Sequence, residues 1–147
     1  MSDNHWTPLK VEARMEEAAS VMRRLSEVRV RGYFNTWPTI LPEFSDLVGR
    51  EPRRMKLPPP SPAAITRTEE AMEWLWWLEP DDARIVWMRA ENRPWKVVCR
   101  QVGLSRTCAW EHWVVALCII TLKLNNQRIP KHSWRLKAMA RAMRKGA

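Results

Sequence analysis

Trp95-Lys96-Val97-Val98-Cys99-Arg100-Gln101-Val102-Gly103-Leu104-Ser105-Arg106-Thr107 is the stretch whose reading decides the fold. Apolar residues at 95, 98, 99 and 102 keep helical spacing and predict a short helix from Pro94 to Val102. Gly103 follows, and glycine takes the left-handed conformation that ends a helix without a Cβ clash. Leu104 reads as a buried plug, and Ser105 is a preferred N-cap for the next helix. A short helix, a glycine turn and a second helix opening on a capping serine is the layout of a helix-turn-helix unit.

Working upstream, Pro80-Asp81-Asp82 opens a helix with both carboxylates in its first turn, where the helix dipole favours anions. Its inner face is Ile85, Val86 and Met88 or Trp87. Before it, Ser61 is an N-cap with Pro62 at the first helical position. That helix is predicted to reach Leu78 and to bury Ile65, Met72, Leu75 and Trp76 or Leu78. Downstream, the helix after Ser105 runs to Leu124 with Ala109, His112 or Trp113, Ala116, Leu117, Ile120 and Leu124 as its buried stripe. At the N-terminus, Thr7 caps a helix from Pro8 to Leu25 with apolar positions Leu9, Val11, Met15, Ala18, Ala19, Met22 and Leu25. Residues 29–60 show no clear period, and Pro38, Pro42 and the run Pro58-Pro59-Pro60 favour an irregular connector ending in a stiff spacer. From Ser133 to Met143, Trp134 or Leu136, Met139, Ala140 and Met143 return to helical spacing. The expected fold is therefore all-α. Residues 61–124 form a helix-turn-helix core, 1–60 an N-terminal helix and Pro-rich connector, and 125–147 a basic C-terminal helix or tail.

The charge of +9 is unevenly placed. Residues 1–60 carry ten Lys and Arg against eight Asp and Glu, and residues 61–122 carry seven against eight. Residues 123–147 carry eight basic side chains and no acidic one. A basic amphipathic C-terminal segment fits phosphate or an acidic partner.

Between residues 78 and 117 the chain resembles region four of the bacterial sigma factors and the phage late-gene regulators built on that fold. The matching elements are Leu78-Glu79-Pro80, Arg84-Ile85-Val86, Trp95-Lys96-Val97-Val98-Cys99, Gly103-Leu104-Ser105-Arg106 and Ala116-Leu117. The N-terminal half is similar to short proteins encoded in prophages and gene transfer agents of alphaproteobacteria. There the matching residues are Trp6-Thr7-Pro8, Val11-Glu12-Ala13-Arg14, Glu17-Ala18-Ala19, Arg29-Val30-Arg31-Gly32-Tyr33-Phe34 and Pro58-Pro59-Pro60-Ser61-Pro62-Ala63-Ala64-Ile65. The resemblance implies a DNA-binding transcription regulator, an activator or antiterminator acting with RNA polymerase on a late gene cluster. Two other expectations stay open: a small terminase subunit that packages DNA, and a helix-turn-helix module used only for protein contacts.

In such units the first turns of the second helix meet base edges. Arg106 can bond guanine at two points, Thr107 can touch a thymine methyl or a phosphate, and Glu111 can accept from cytosine N4, beside a bulky Trp110. Lys96 and Arg100, four apart on the first helix, suit phosphate, as do Ser105 and the C-terminal cations Arg128, Lys131 and Arg135. Glu111 and Trp110 depart from the basic residues that the resemblance implies at these positions. In the connector, Tyr33, Phe34 and Trp37 beside Arg53 and Arg54 compose a candidate partner-binding patch, with RNA polymerase the expected partner.

Catalytic patterns are missing. Histidine occurs at 5, 112 and 132 alone, and Cys108 with His112 lacks a third and fourth metal ligand. With four glycines in the chain there is no phosphate-cradling loop. No enzyme activity, cofactor, metal or small-molecule substrate is expected. Cys99, Cys108 and Cys118 read as reduced core thiols. The start shows no secretory signal pattern and no apolar run reaches the length of a membrane span. A cytoplasmic location with no membrane partner is the expectation.

Overall fold

In the computed structural model, residues 5–25 and 57–145 are described. They form six α-helices and, among the described residues, no strand: α1 (Pro8–Arg24), α2 (Pro62–Leu75), α3 (Pro80–Ala90), α4 (Trp95–Val102), α5 (Arg106–Leu124) and α6 (Ser133–Lys145). The candidate partner residues Tyr33, Phe34, Trp37, Arg53 and Arg54 lie outside the described residues.

Helix starts follow the sequence signals. Thr7 Oγ1 accepts from the Lys10 amide, Ser61 Oγ from the Ala64 amide and Ser105 Oγ from the Cys108 amide. Each satisfies one of the donors that a helix start leaves without a partner. Three ends use a left-handed residue: Gly103 at φ 74°, Asn92 at φ 60° and Asn126 at φ 54°. Asparagine tolerates this region better than other residues with a Cβ. The Arg93 and Gln127 amides then reach back to the carbonyls of Met88 and Leu122, closing α3 and α5.

α5 is the centre of the molecule. It buries Ala109, Trp113, Val114, Ala116, Leu117, Cys118, Ile120, Thr121 and Leu122, residues that face several sides. α1, α3, α4 and α6 all pack on it. By length and composition α5 could cross a membrane, against the sequence expectation of no such run, yet half of it is buried within this helical assembly. The Thr121 hydroxyl, fully buried, donates to the Leu117 carbonyl, so no polar group is stranded there.

The flanking helices belong to the same core. Val11, Met15, Ala18 and Ala19 of α1 and Ala140 of α6 join one cluster with Ile85, Val86, Val98, Leu117 and Ile120. Among the described residues, α1, the helices α2 to α5 and α6 therefore share one core. α1 makes its most extensive contact with α2. The small residues Ala18 and Ala19 of α1 and Ala64 and Ala71 of α2 are buried. Arg67 joins the pair through Glu17, with Nη2 2.5 Å from Oε1. The N-terminal segment is also pinned to the end of α5. The Trp6 amide donates to Asn125 Oδ1, and Asn125 Nδ2 donates to the Trp6 carbonyl, both at 2.9 Å.

Several core assignments from sequence need correction. Trp76 is 87% exposed, because α2 stops at Leu75 and Trp76 falls in the turn; Trp74 is the buried ring, edge-on to Trp6 at 5.2 Å. On α1, Leu9 and Met22 are exposed, as is Leu25 at its C-cap, and Val21 is buried in their place. On α5, Trp113 is the buried member of the pair with His112. On α6, Leu136 is half-buried and Trp134 exposed. Spacing sets which residues share a face. Which of two neighbouring faces is covered depends on the crossing helices.

Candidate nucleic-acid interface

The turn between α4 and α5 orders the candidate contacts. Gly103 occupies the left-handed region, and the Gly103 and Leu104 amides both donate to the Cys99 carbonyl. Leu104 packs against the core, turning the chain so that α5 starts at Arg106. Lys96, Arg100, Ser105, Arg106 and Thr107 are all exposed. Among the described residues no ion pair engages Lys96, Arg100 or Arg106. The Ser105 hydroxyl is committed to capping α5, so its side chain shapes the turn more than it offers a contact. The free amides at a helix start and the positive end of its dipole favour an anion near Arg106.

One turn further along, the structure departs from the sequence expectation. Glu111 and Trp110 do not form an open groove-facing surface; α6 lies against them. Lys137 Nζ is 3.3 Å from Glu111 Oε2, and Arg141 Nη2 bonds Oε1. Trp110, Val114, Val115 and Ala140 line the same contact. The Lys137 bond, with help from Arg141, holds the Glu111 carboxyl below the usual glutamate range of 4.5. Glu111 anchors α6 and is spent on it. Its sequence signal was the spacing of Lys137 and Arg141, four apart on a helix with no acid of its own.

The remaining cations of α6 divide into two groups. Arg144 stacks 4.3 Å over the Trp113 ring and pairs with Glu12 of α1 at 3.3 Å. Trp113 also meets Trp95 edge-on at 5.7 Å, and the Arg89 guanidinium lies 4.7 Å over Trp95. This arrangement ties α1, α3, α4 and α6 to α5. Arg128, Lys131 and Arg135 are exposed around a groove where α5 passes into α6. Lys137, Arg141 and Arg144 belong to the same basic segment, but each is held in an ion pair within the chain. Net charge counts side chains without saying which are already paired.

Asp82 also has a partner that the sequence did not reveal. Its Oδ1 is 2.6 Å from His112 Nδ1, joining the start of α3 to α5. Among the described residues no cluster of ligating side chains could hold a metal. Cys118 is buried, its thiol pushed up to about 11 by desolvation, and it donates to Met143 Sδ at 3.4 Å. It is a packing group under α6.

The Glu111 clasp has a pH signature. A carboxyl with a lowered folded pKa stabilises fully above the ordinary value of 4.5 and loses that contribution as pH falls through the lowered one. The amide signals of α6 are therefore expected to broaden or shift on acidification. In Glu111→Gln the part of that response arising from this contact should vanish. An identical acid profile in the variant would show that Glu111 does not hold α6.

Comparison with family models matches the chain to the Domain of unknown function (DUF6362) over residues 23–120. No curated protein and no solved structure matches the chain.

Proposed function

We propose that this chain, which belongs to the DUF6362 family, is a duplex-DNA-binding transcription regulator. It acts with RNA polymerase as an activator or antiterminator, in the manner that the resemblance to phage late-gene regulators implies. The observation that carries this reading is the free cationic surface at the α4–α5 turn. Lys96, Arg100 and Arg106 are exposed and unpaired among the described residues, while the neighbouring acid Glu111 is neutralised by Lys137 and Arg141. Without that neutralisation a carboxylate one turn from Arg106 would repel phosphate. With it, the start of α5 presents net positive charge and a helix dipole of the same sign.

Lys96 and Arg100 contact phosphates, and Arg106 and Thr107 read base edges. Arg106→Ala is expected to weaken binding to a selected duplex by about 1–3 kcal/mol and to relax preference at one base pair. Lys96→Ala should weaken all duplexes alike and reduce the salt slope. The measurement is duplex selection from a random pool, then anisotropy titration of the winner at several salt concentrations. Equal affinity of the wild type and Arg106→Ala for the selected duplex would overturn the assignment of Arg106. Failure to enrich any duplex would overturn the DNA reading itself.

A further inference from the structure

The connection from α5 to α6 folds into an open groove of about 550 Å³. Its apolar lining is Ile129, Pro130, Trp134 and Met139. Trp134 is 67% exposed and Met139 38%, so two large apolar side chains face solvent within one α-helical turn and a half. Arg128, Lys131 and Arg135 line the same groove, with no acidic residue among them. A contiguous apolar depression rimmed by charge of one sign has the anatomy of a protein-binding hot spot with an electrostatic rim.

We infer that this groove binds an acidic segment of a partner protein through one large apolar side chain seated on Trp134 and Met139. Flanking carboxylates of that segment pair with Arg128, Lys131 and Arg135. Charge complementarity sets the sign of the partner. The shape and chemistry of the lining set its class. Ile129, Pro130 and Met139 are saturated groups that surround an aliphatic or aromatic side chain, and methionine adapts to varied shapes. Single-stranded nucleic acid prefers successive flat aromatic platforms. Here a single indole is available, and the Arg135 guanidinium already lies 5.2 Å over its ring. The groove is distinct from the α4–α5 turn, and the inference stands whether or not that turn binds DNA.

The test is a displayed library of short random peptides, panned on the intact chain and counter-selected on Trp134→Ser. Because Trp134 is mostly exposed, that variant is expected to stay folded, which its circular dichroism checks. Enriched peptides should carry one large apolar residue flanked by Asp or Glu. A synthetic winner should lose at least about tenfold in affinity when its apolar residue is changed to serine, or when Trp134 is. It should lose a similar factor when Arg128, Lys131 and Arg135 are reversed to glutamate. No enrichment over the counter-selecting variant, or winners without carboxylates, would overturn the inference. So would oligo-dT binding that depends on Trp134 in the absence of peptide binding.

Discussion

Met15→Ala is expected to destabilise the fold by about 2–5 kcal/mol, the range for truncating a fully buried methionine. Met15 is 1% exposed, and it lines one small crevice with Val86, Trp113 and Leu117. Those residues come from α1, α3 and α5, so the cavity left by alanine would be shared by three helices and could not close by moving one. Urea denaturation of the wild type and variant measures the loss. Leu9→Ala and Met22→Ala supply the contrast on the same helix, since their side chains are 47% and 44% exposed. Each should change stability by no more than about 0.5 kcal/mol, as surface substitutions usually do. If Met15→Ala costs no more than those two, α1 is an appendage and the shared core is wrong.

Trp113→Ala is expected to cost still more, about 3–5 kcal/mol. The ring is 4% exposed, meets Trp95 edge-on and carries the Arg144 guanidinium over it. Its loss would strip α4 of its aromatic contact with α5 and α6 of a cation–π contact, beyond the area term. Hydrogen exchange should therefore quicken in the amides of α4 and α6 before those of α2. Trp113→Phe should retain part of the edge contact and lose less. Uniform quickening across all helices would mean that Trp113 supports the core generally and does not position the α4–α5 turn. Trp76→Ala, at an 87% exposed ring, should be close to neutral.

These two residues also mark what could be read in advance. At position 113 the sequence left His112 and Trp113 as alternatives, since both lie near the edge of the same helical stripe. The structure buries Trp113 and gives His112 to Asp82, thirty residues earlier in the chain. Helical spacing marks Met15 as a core position and marks Met22 equally, yet Met15 is buried and Met22 exposed. Helical spacing ranks faces. It does not tell how far along the helix a neighbour extends. α5 is the extreme case: Ala109, Trp113, Ala116, Leu117 and Ile120 of the expected stripe are buried, and Val114, Cys118, Thr121 and Leu122 on its other sides are buried with them, because four helices surround it.

By itself the sequence determined the all-helical class, the starts capped by Thr7, Ser61 and Ser105, and the turn at Gly103. Those features depend on residues within one helical turn of each other, where backbone sterics and local hydrogen bonds dominate. Tertiary structure alone decided that Glu111 anchors α6, that Lys137, Arg141 and Arg144 are spent internally, and that Arg106 stays free of an ion pair among the described residues. Each is a question of which charge meets which across roughly thirty to more than one hundred residues of chain. Coulombic pairing acts through space, over a few ångströms, and only the packing of α6 against α5 and α1 brings those charges within reach.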